Sequence, residues 1–511
     1  MAGLPELFLE QPGQAISLDM STMGLHTPSL RALDWKRVFF EMRELESGAI
    51  VNVDEGRQVG HYWLRAPERA PTMAYASAIG EAVEGVVGFV RGVRAGSITA
   101  PDGSPFTDVL HIGTGGSALG PGFLVDACGN DEGLKVQFLD NTDPDGVYRI
   151  LHGIGDRLRT TLVVMVSKSG STPEPNNALA LVHHQLALRG LPIGAVSVAV
   201  TVEGSSLAKR AKEEGWLRSF PVWLWVGGRV SSTSAAGLLP AGLAGADIGG
   251  LLAGAAQMDE WTRTEDVLRN PAAMLAGAWY LAGNGKGDRC GVTIPYADRY
   301  VLLSRHLQQV IMESIGQRLD RDGKEVRQGL TVYGNKGSTD QHAFVQQLRD
   351  GRDDFFVMFV QVLDSGLNGD IEIQPGITTG DYLQGFLLGT RRALTDEGRP
   401  VMTLTVPTVD ERCTGALIAL FERAVSFYGT LININPYHQP GVEAGKKAAA
   451  AALELSTTLR GLIANDGKTV DGLAIALNAP VLDVYFLLQR LEATGRVRQD
   501  RSGREVSWVC T

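Results

Sequence analysis

Ser167-Lys168-Ser169-Gly170-Ser171-Thr172 brings four hydroxyls, one ammonium and one glycine into six residues. Pro173, Glu174 and Pro175 follow, and proline is favoured in a first helical turn. Hydroxyls and loop amides at the positive end of a helix dipole bind phosphate. The G-x-x-x-x-G-K-[ST] spacing of a nucleotide-binding loop is absent, since Lys168 precedes the glycine. The expected ligand is a phosphorylated metabolite held by hydroxyls; a serine-rich surface turn is the plain alternative. Four further segments suit chemistry at the other end of such a ligand. Gly227-Gly228-Arg229 permits close backbone approach and supplies a fixed cation. Gln309 and Glu313 lie four residues apart and share a helix face. Glu313 sits among Val310, Ile311, Met312 and Ile315, where partial desolvation suits a carboxylate to general-base work. The ordinary alternative is a solvated glutamate. His342, in Ser338-Thr339-Asp340-Gln341-His342-Ala343-Phe344, is expected in a first helical turn. Lys446 opens a helix after Gln439-Pro440-Gly441, and either reaches a cleft or forms a solvated pair with Lys447.

The segment His111-Ile112-Gly113-Thr114-Gly115-Gly116-Ser117-Ala118 fits G-x-G-x-x-A. Asp140 falls near the end of the next strand, as in a dinucleotide-binding fold. A glycine-rich turn serves any ligand needing close backbone approach, and Gly116 with Ser117 equally offers an amide and a hydroxyl to a sugar. The other segments favour the sugar.

These residues need elements to position them. Strand-like runs at 107–112, 135–139, 161–167, 194–201 and 220–226 alternate with amphipathic stretches, which predicts a parallel sheet covered by helices. A helical region at 233–285 separates this block from further strand-like runs at 291–296, 329–334, 355–362 and 401–406. Helix-like stretches at 303–318, 340–349, 381–396 and 410–428 accompany the second set. The expected organisation is a mixed segment at 1–70, a first α/β domain at 71–245, a second at 246–455 including an alanine-rich helix, and a small module at 456–511. That module reads as three short helices and a hairpin, an order similar to a winged helix. It holds seven Lys and Arg against six Asp and Glu, which suits packing or partner binding better than DNA recognition.

The chain has 511 residues, 44% hydrophobic and 20% charged, as in an ordinary globular protein. A net charge of −10 argues against general nucleic-acid binding. No run of eighteen apolar residues and no basic, apolar leader is read, so neither a membrane span nor a secretory signal is expected. Four scattered cysteines have neither disulfide-framework nor zinc spacing, which fits a cytoplasmic setting.

Taken in order, the six segments resemble the glucose-6-phosphate isomerase (phosphoglucose isomerase) family across roughly 70–450. The family's glycine-rich loop looks like Gly113 to Gly120, and its phosphate loop looks like Ser167 to Thr172. Its G-G-R, M-E-S and Q-H-[AS]-F signatures look like Gly227 to Arg229, Met312 to Ser314 and Gln341 to Phe344. Its Q-x-G-V-E-x-x-K signature matches Gln439 to Lys446. The resemblance implies two sugar-isomerase (SIS) domains, each a parallel sheet flanked by helices, with the winged-helix-like module outside the common core. It implies interconversion of glucose 6-phosphate and fructose 6-phosphate through a cis-enediolate, with no metal and no cofactor. By resemblance Glu313, His342, Lys446 and Arg229 are catalytic. Gly116, Ser117, Ser167, Lys168, Ser169, Thr172, Gly228, Gln309 and Gln439 bind substrate. A homodimer is implied, with the histidine segment contributed across the interface. Val230, His438, Ile315, Gln317 and Ser169 depart from the family's usual residues. The rival readings are a phosphosugar-sensing SIS regulator with a helix-turn-helix module, and an isomerase of another hexose 6-phosphate. A sensor needs the phosphate loop but not Glu313, His342, Lys446 and Arg229 together.

Overall fold

Apolar runs punctuated by glycine-rich loops assemble into two mixed α/β layers. The computed structural model describes residues 4–11, 16–364, 370–463, 468–501 and 506–510. Two compact units divide the chain, residues 1–438 and 439–511.

The first sheet of the larger unit has five strands: Asp108–Ile112, Lys135–Leu139, Thr161–Val166, Ser197–Thr201 and Arg218–Pro221. All pair in parallel, and the second strand in sequence lies outside the first. Every residue of 108–112, 161–166 and 197–201 is buried, as expected where helices cover both faces. The chain reverses direction across the sheet between strands 108–112 and 161–166. Ligands in open α/β sheets bind at the carboxyl ends beside such a reversal. The loops leaving those two strands are the glycine-rich and serine-rich segments.

The last of these strands is shorter than the sequence suggests. It ends at Pro221, and residues 222–226 turn instead of extending. Trp225 is 5.3 Å from Trp63 and 4.9 Å from Trp223, centroid to centroid. Packing of these rings, rather than a sheet ladder, accounts for the aromatic run.

The second sheet runs, in spatial order, Phe8–Glu10, Ser17–Thr22, Val401–Thr408, Phe355–Asp364, Cys290–Pro295 and Val332–Tyr333. Its last four strands are parallel, but 8–10 and 17–22 join antiparallel. The expectation of a wholly parallel second sheet, with 1–70 as a separate preface, is therefore corrected. Strand Ser17–Thr22 pairs with residues nearly 400 positions away, Phe8–Glu10 pairs with it, and that pairing supplies the order their short sequences lack.

Helices Ile248–Trp261, Pro271–Ala282 and Glu411–Leu431 pack together beneath the sheets. They enclose a charged network. Arg65 Nε and Nη2 donate to Asp259, at 2.5 and 3.0 Å, and Nη1 donates to Glu422 at 2.6 Å. Arg423 Nη2 bridges Glu46 and Asp259. Met73–Arg94 is long and apolar enough by composition to cross a membrane. Here its residues Ile79, Val86, Phe89, Val90 and Val93 are buried, and the helix packs on Ala235–Leu243.

The smaller unit begins with one continuous helix, Pro440–Leu462, so the helix expected at 456–464 is the end of the alanine-rich one. Helices Val470–Leu477 and Val481–Ala493 follow. Strands Lys468–Thr469, Ser507–Cys510 and Val497–Asp500 form an antiparallel sheet in that order. Leu459, Leu473, Leu488 and Trp508 lie in its core. Arg504 of the expected hairpin lies outside the described residues.

Candidate active site

The glycine-rich loop is pinned from below. His111, buried in strand 108–112, has Nε2 2.7 Å from the Ser117 carbonyl. Burial pulls this imidazole down to about 4, so it is neutral and donates there. Gly115 has φ +57, which favours glycine. At Gly116 an added Cβ would stand 2.1 Å from the Gly228 carbonyl oxygen. Only glycine lets these two backbones meet. Ser231 Oγ ties the same pair of loops, donating to Gly228 at 2.8 Å and Gly116 at 3.4 Å.

Arg229 thus lies directly beside the glycine-rich loop, within the turn Gly228–Val230. It is 5% exposed, and its Nη2 donates to the His438 carbonyl at 3.1 Å. Nη1 stands 3.6 Å from Glu313 Oε2. Neither of those two atoms has a hydrogen-bond partner among the described residues. Burial lowers the guanidinium from its usual value, while Glu313 and Glu55 act in the opposite direction.

The helix expected over 303–318 is not regular. An α-helix at Leu303–Leu307 widens into a π-helical stretch, Gln308–Glu313. Such turns recur at functional sites because they re-aim side chains. Gln309 Nε2 lies 3.2 Å from where a Cβ of Gly115 would sit, and its Oε1 is buried without a hydrogen-bond partner among the described residues. Gly115, Gly116, Gly228, Arg229, Gln309 and Glu313 therefore converge.

The serine-rich loop is preorganised by its own bonds. Gly170, at φ +74, donates to Ser167 Oγ at 3.1 Å. Ser171 N donates to Ser169 Oγ at 3.2 Å. Asn176 Nδ2 holds the Gly170 and Thr172 carbonyls, each at 2.9 Å. Thr172 caps the helix Pro173–Ala187 without using its side chain, which leaves the hydroxyl for another acceptor. Lys168 Nζ donates to the carbonyls of Leu224 and Val226, at 3.0 and 2.8 Å. Lys168 thereby ties the loop to the segment that leads into Gly227. An ammonium has three donors, so one remains. Burial, with Arg57 nearby, lowers Lys168 to about 8, against a smaller pull from Glu55.

His342 is not in the first turn of a long helix. It ends a short 3₁₀ turn, Thr339–His342, and is exposed. The α-helix starts only at Val345. The neighbouring Gln341 faces inward, donating to Tyr296 and Phe386. Among the described contacts none joins His342 to Arg229 or Glu313. Gln439 and Lys446 belong to the smaller unit, Gln439 just before helix Pro440–Leu462 and Lys446 in its second turn.

A family model described as phosphoglucose isomerase matches residues 29–372 and 388–470. The chain belongs to the phosphoglucose isomerase family. Relatives named glucose-6-phosphate isomerase agree. One from Synechococcus sp. (strain JA-3-3Ab) is 51% identical over 95% of this chain and 93% of its own length. One from Thermosynechococcus vestitus is 50% identical over 94% and 92%. The crystal structure of a glucose-6-phosphate isomerase from Chlamydia trachomatis superimposes with a TM-score of 0.78 at 27% identity, covering 89% of this chain and 90% of that one. In this phosphoglucose isomerase family member, the residues missed by motif reading are His111, Asn176, Asn435 and the turn at 52–57. They hold loops by isolated hydrogen bonds, to carbonyls at His111 and Asn176 and to the Asn52 and Asp54 side chains at Asn435, which leave no motif. His438 and Gln317 were visible only as departures.

Proposed function

We propose that the chain interconverts glucose 6-phosphate and fructose 6-phosphate, with Glu313 as base and Arg229 as the oxyanion-stabilising group. The observation that carries this reading is the open pair. Arg229 Nη1 and Glu313 Oε2 lie 3.6 Å apart, beside backbone that only glycine permits. After ring opening, the Glu313 carboxylate takes the proton from C2 of the aldose. The electron pair moves toward the carbonyl oxygen and yields an enediolate, with the charge facing Arg229. A proton passes from the O2 hydroxyl to O1, Glu313 returns its proton to C1 as the C2 carbonyl forms, and atoms and electrons balance without an external oxidant. Arg229 stays cationic at working pH and is placed before the charge develops.

Ser167, Ser169 and Thr172 hold the phosphate with the remaining Lys168 donor, and Gln439 is assigned to substrate by family resemblance alone. Binding energy from this remote group orients C1 and C2. Gly116, Ser117, Gly228 and Gln309 line the sugar. By family resemblance, His342 and Lys446 move protons in ring opening. His342 is exposed within one chain, which supports a homodimer in which it serves the partner's site. Sedimentation combined with assay tests this; a fully active monomer overturns it. The 456–511 module is read as winged-helix-like and outside the reaction, in a cytoplasmic enzyme.

The deciding measurement is turnover of fructose 6-phosphate in a coupled assay. Glu313→Gln is expected to lower kcat by roughly 10²-fold or more with KM little changed. Near-normal turnover removes Glu313 from the mechanism.

A further inference from the structure

The hydrogen bonds behind Arg229 lead away from every motif. Its Nη2 shares the His438 carbonyl with Gln317 Nε2, which donates to that oxygen at 3.3 Å and to Ser314 O at 3.2 Å. Gln317 is buried. It bridges the end of the Glu313 segment and the last residue of the larger unit.

His438 is fixed in turn by Asn435 and the turn at 52–57. Asn435 Nδ2 donates to Asn52 Oδ1 at 3.0 Å and to Asp54 Oδ2 at 2.5 Å. Its Oδ1 accepts from the Tyr437 N–H at 3.0 Å. Both amide hydrogens and the oxygen of Asn435 are therefore engaged. The His438 ring lies 3.2 Å from the Asn435 carbonyl and 3.7 Å from Asp54 Oδ2. Asn52 and Arg57 close the turn by reciprocal backbone bonds.

A carbonyl ligand and a carboxylate ligand differ in what they leave behind. A carboxylate fixes a guanidinium and cancels its charge. A carbonyl fixes it and cancels little. The His438 carbonyl immobilises one side of Arg229 while Nη1 stays open toward Glu313. Preorganised charge is worth most when it need not move during reaction, and small misplacements cost rate steeply.

We propose that Gln317 and Asn435 are positioning residues for Arg229, acting through the His438 carbonyl with the 52–57 turn as anchor. The inference rests on the reading of Arg229 as the oxyanion-stabilising group. Neither residue touches substrate; each sets where the guanidinium stands.

The test uses the full chain and fructose 6-phosphate, with inorganic phosphate as competitive inhibitor and thermal melting as the check on folding. Gln317→Leu is expected to lower kcat about 10-fold. The KM and the phosphate inhibition constant should stay within about twofold, because the phosphate loop is untouched. Gln317→Lys restores a donor and should recover most of the loss. Asp54→Ala, at an exposed position, should show the same split at about 3-fold in kcat. It decides the matter if Gln317→Leu does not fold. Unchanged kcat in either folded variant overturns the proposal. So does equal loss in the Leu and Lys variants, or a phosphate constant that shifts as far as kcat. Absence of turnover in the unsubstituted chain overturns the functional reading instead, which keeps the two failures distinct.

Discussion

Arg65 and Arg229 are each 5% exposed, yet burial has opposite outcomes for them. All three guanidinium nitrogens of Arg65 donate to carboxylates, and these neighbours hold it above its usual value. Arg229 has one carbonyl ligand and one open nitrogen, and burial holds it below its usual value. Arg65 is a fully engaged cation that joins residues 46–65 to two core helices. Arg229 keeps electrostatic capacity in reserve. An unmet buried donor costs stability, typically about 1–3 kcal/mol, and Arg229 keeps one facing Glu313. The two arginines thus separate a charge that builds the protein from a charge that works in it.

Exchanging their fates is the strongest way to break this comparison. Arg65→Met leaves Asp259 and Glu422 buried without their main partner and should cost about 3–5 kcal/mol, read as a lowered urea midpoint. Turnover per folded molecule should change little. Arg229→Met should do the reverse. We expect kcat to fall about 10²–10³-fold, with the urea midpoint near that of the unsubstituted chain. If both variants lose stability alike, the distinction fails.

Lys168 sharpens the comparison on a smaller scale, since it is a half-buried cation on carbonyl ligands that titrates near working pH. Held to about 8, it is cationic below that pH and loses its proton as pH rises through it. The kcat/KM for fructose 6-phosphate should therefore decline above pH 8, since that ratio reports the free enzyme. Lys168→Met should have a lower kcat/KM and lack this decline. An alkaline limb that survives the substitution assigns it to another group.

The sequence made some of this arrangement legible and hid the rest for physical reasons. The strand Thr161–Val166 and its serine-rich loop were readable because an unbroken apolar run ends at a cluster of hydroxyls. Glu313 was readable as a carboxylate among apolar residues. Its π-helical setting was not, because a widened turn is a change of backbone partners and side-chain period does not encode it. Residues 222–226 have strong strand propensity, yet contacts among Trp63, Trp223 and Trp225 fold them into a turn. The N-terminal strands are too short to declare themselves without the distant strand Val401–Thr408. His342 was singled out by its neighbours, and its exposed place on a short turn came only from the structure.

The contact at Gly116 reaches beyond the reaction itself. Because its α-carbon rests against the Gly228 carbonyl with no room for a methyl group, neither loop can drift alone. A lineage seeking a wider or narrower sugar pocket meets a collision at Gly116, whereas a Cβ at Gly228 would meet nothing within 4 Å. Change is steered away from Gly116, to half-buried side chains such as Val230 that can be exchanged one at a time. The departures at Ser169, Val230, Ile315, Gln317 and His438 leave Gly116 in place.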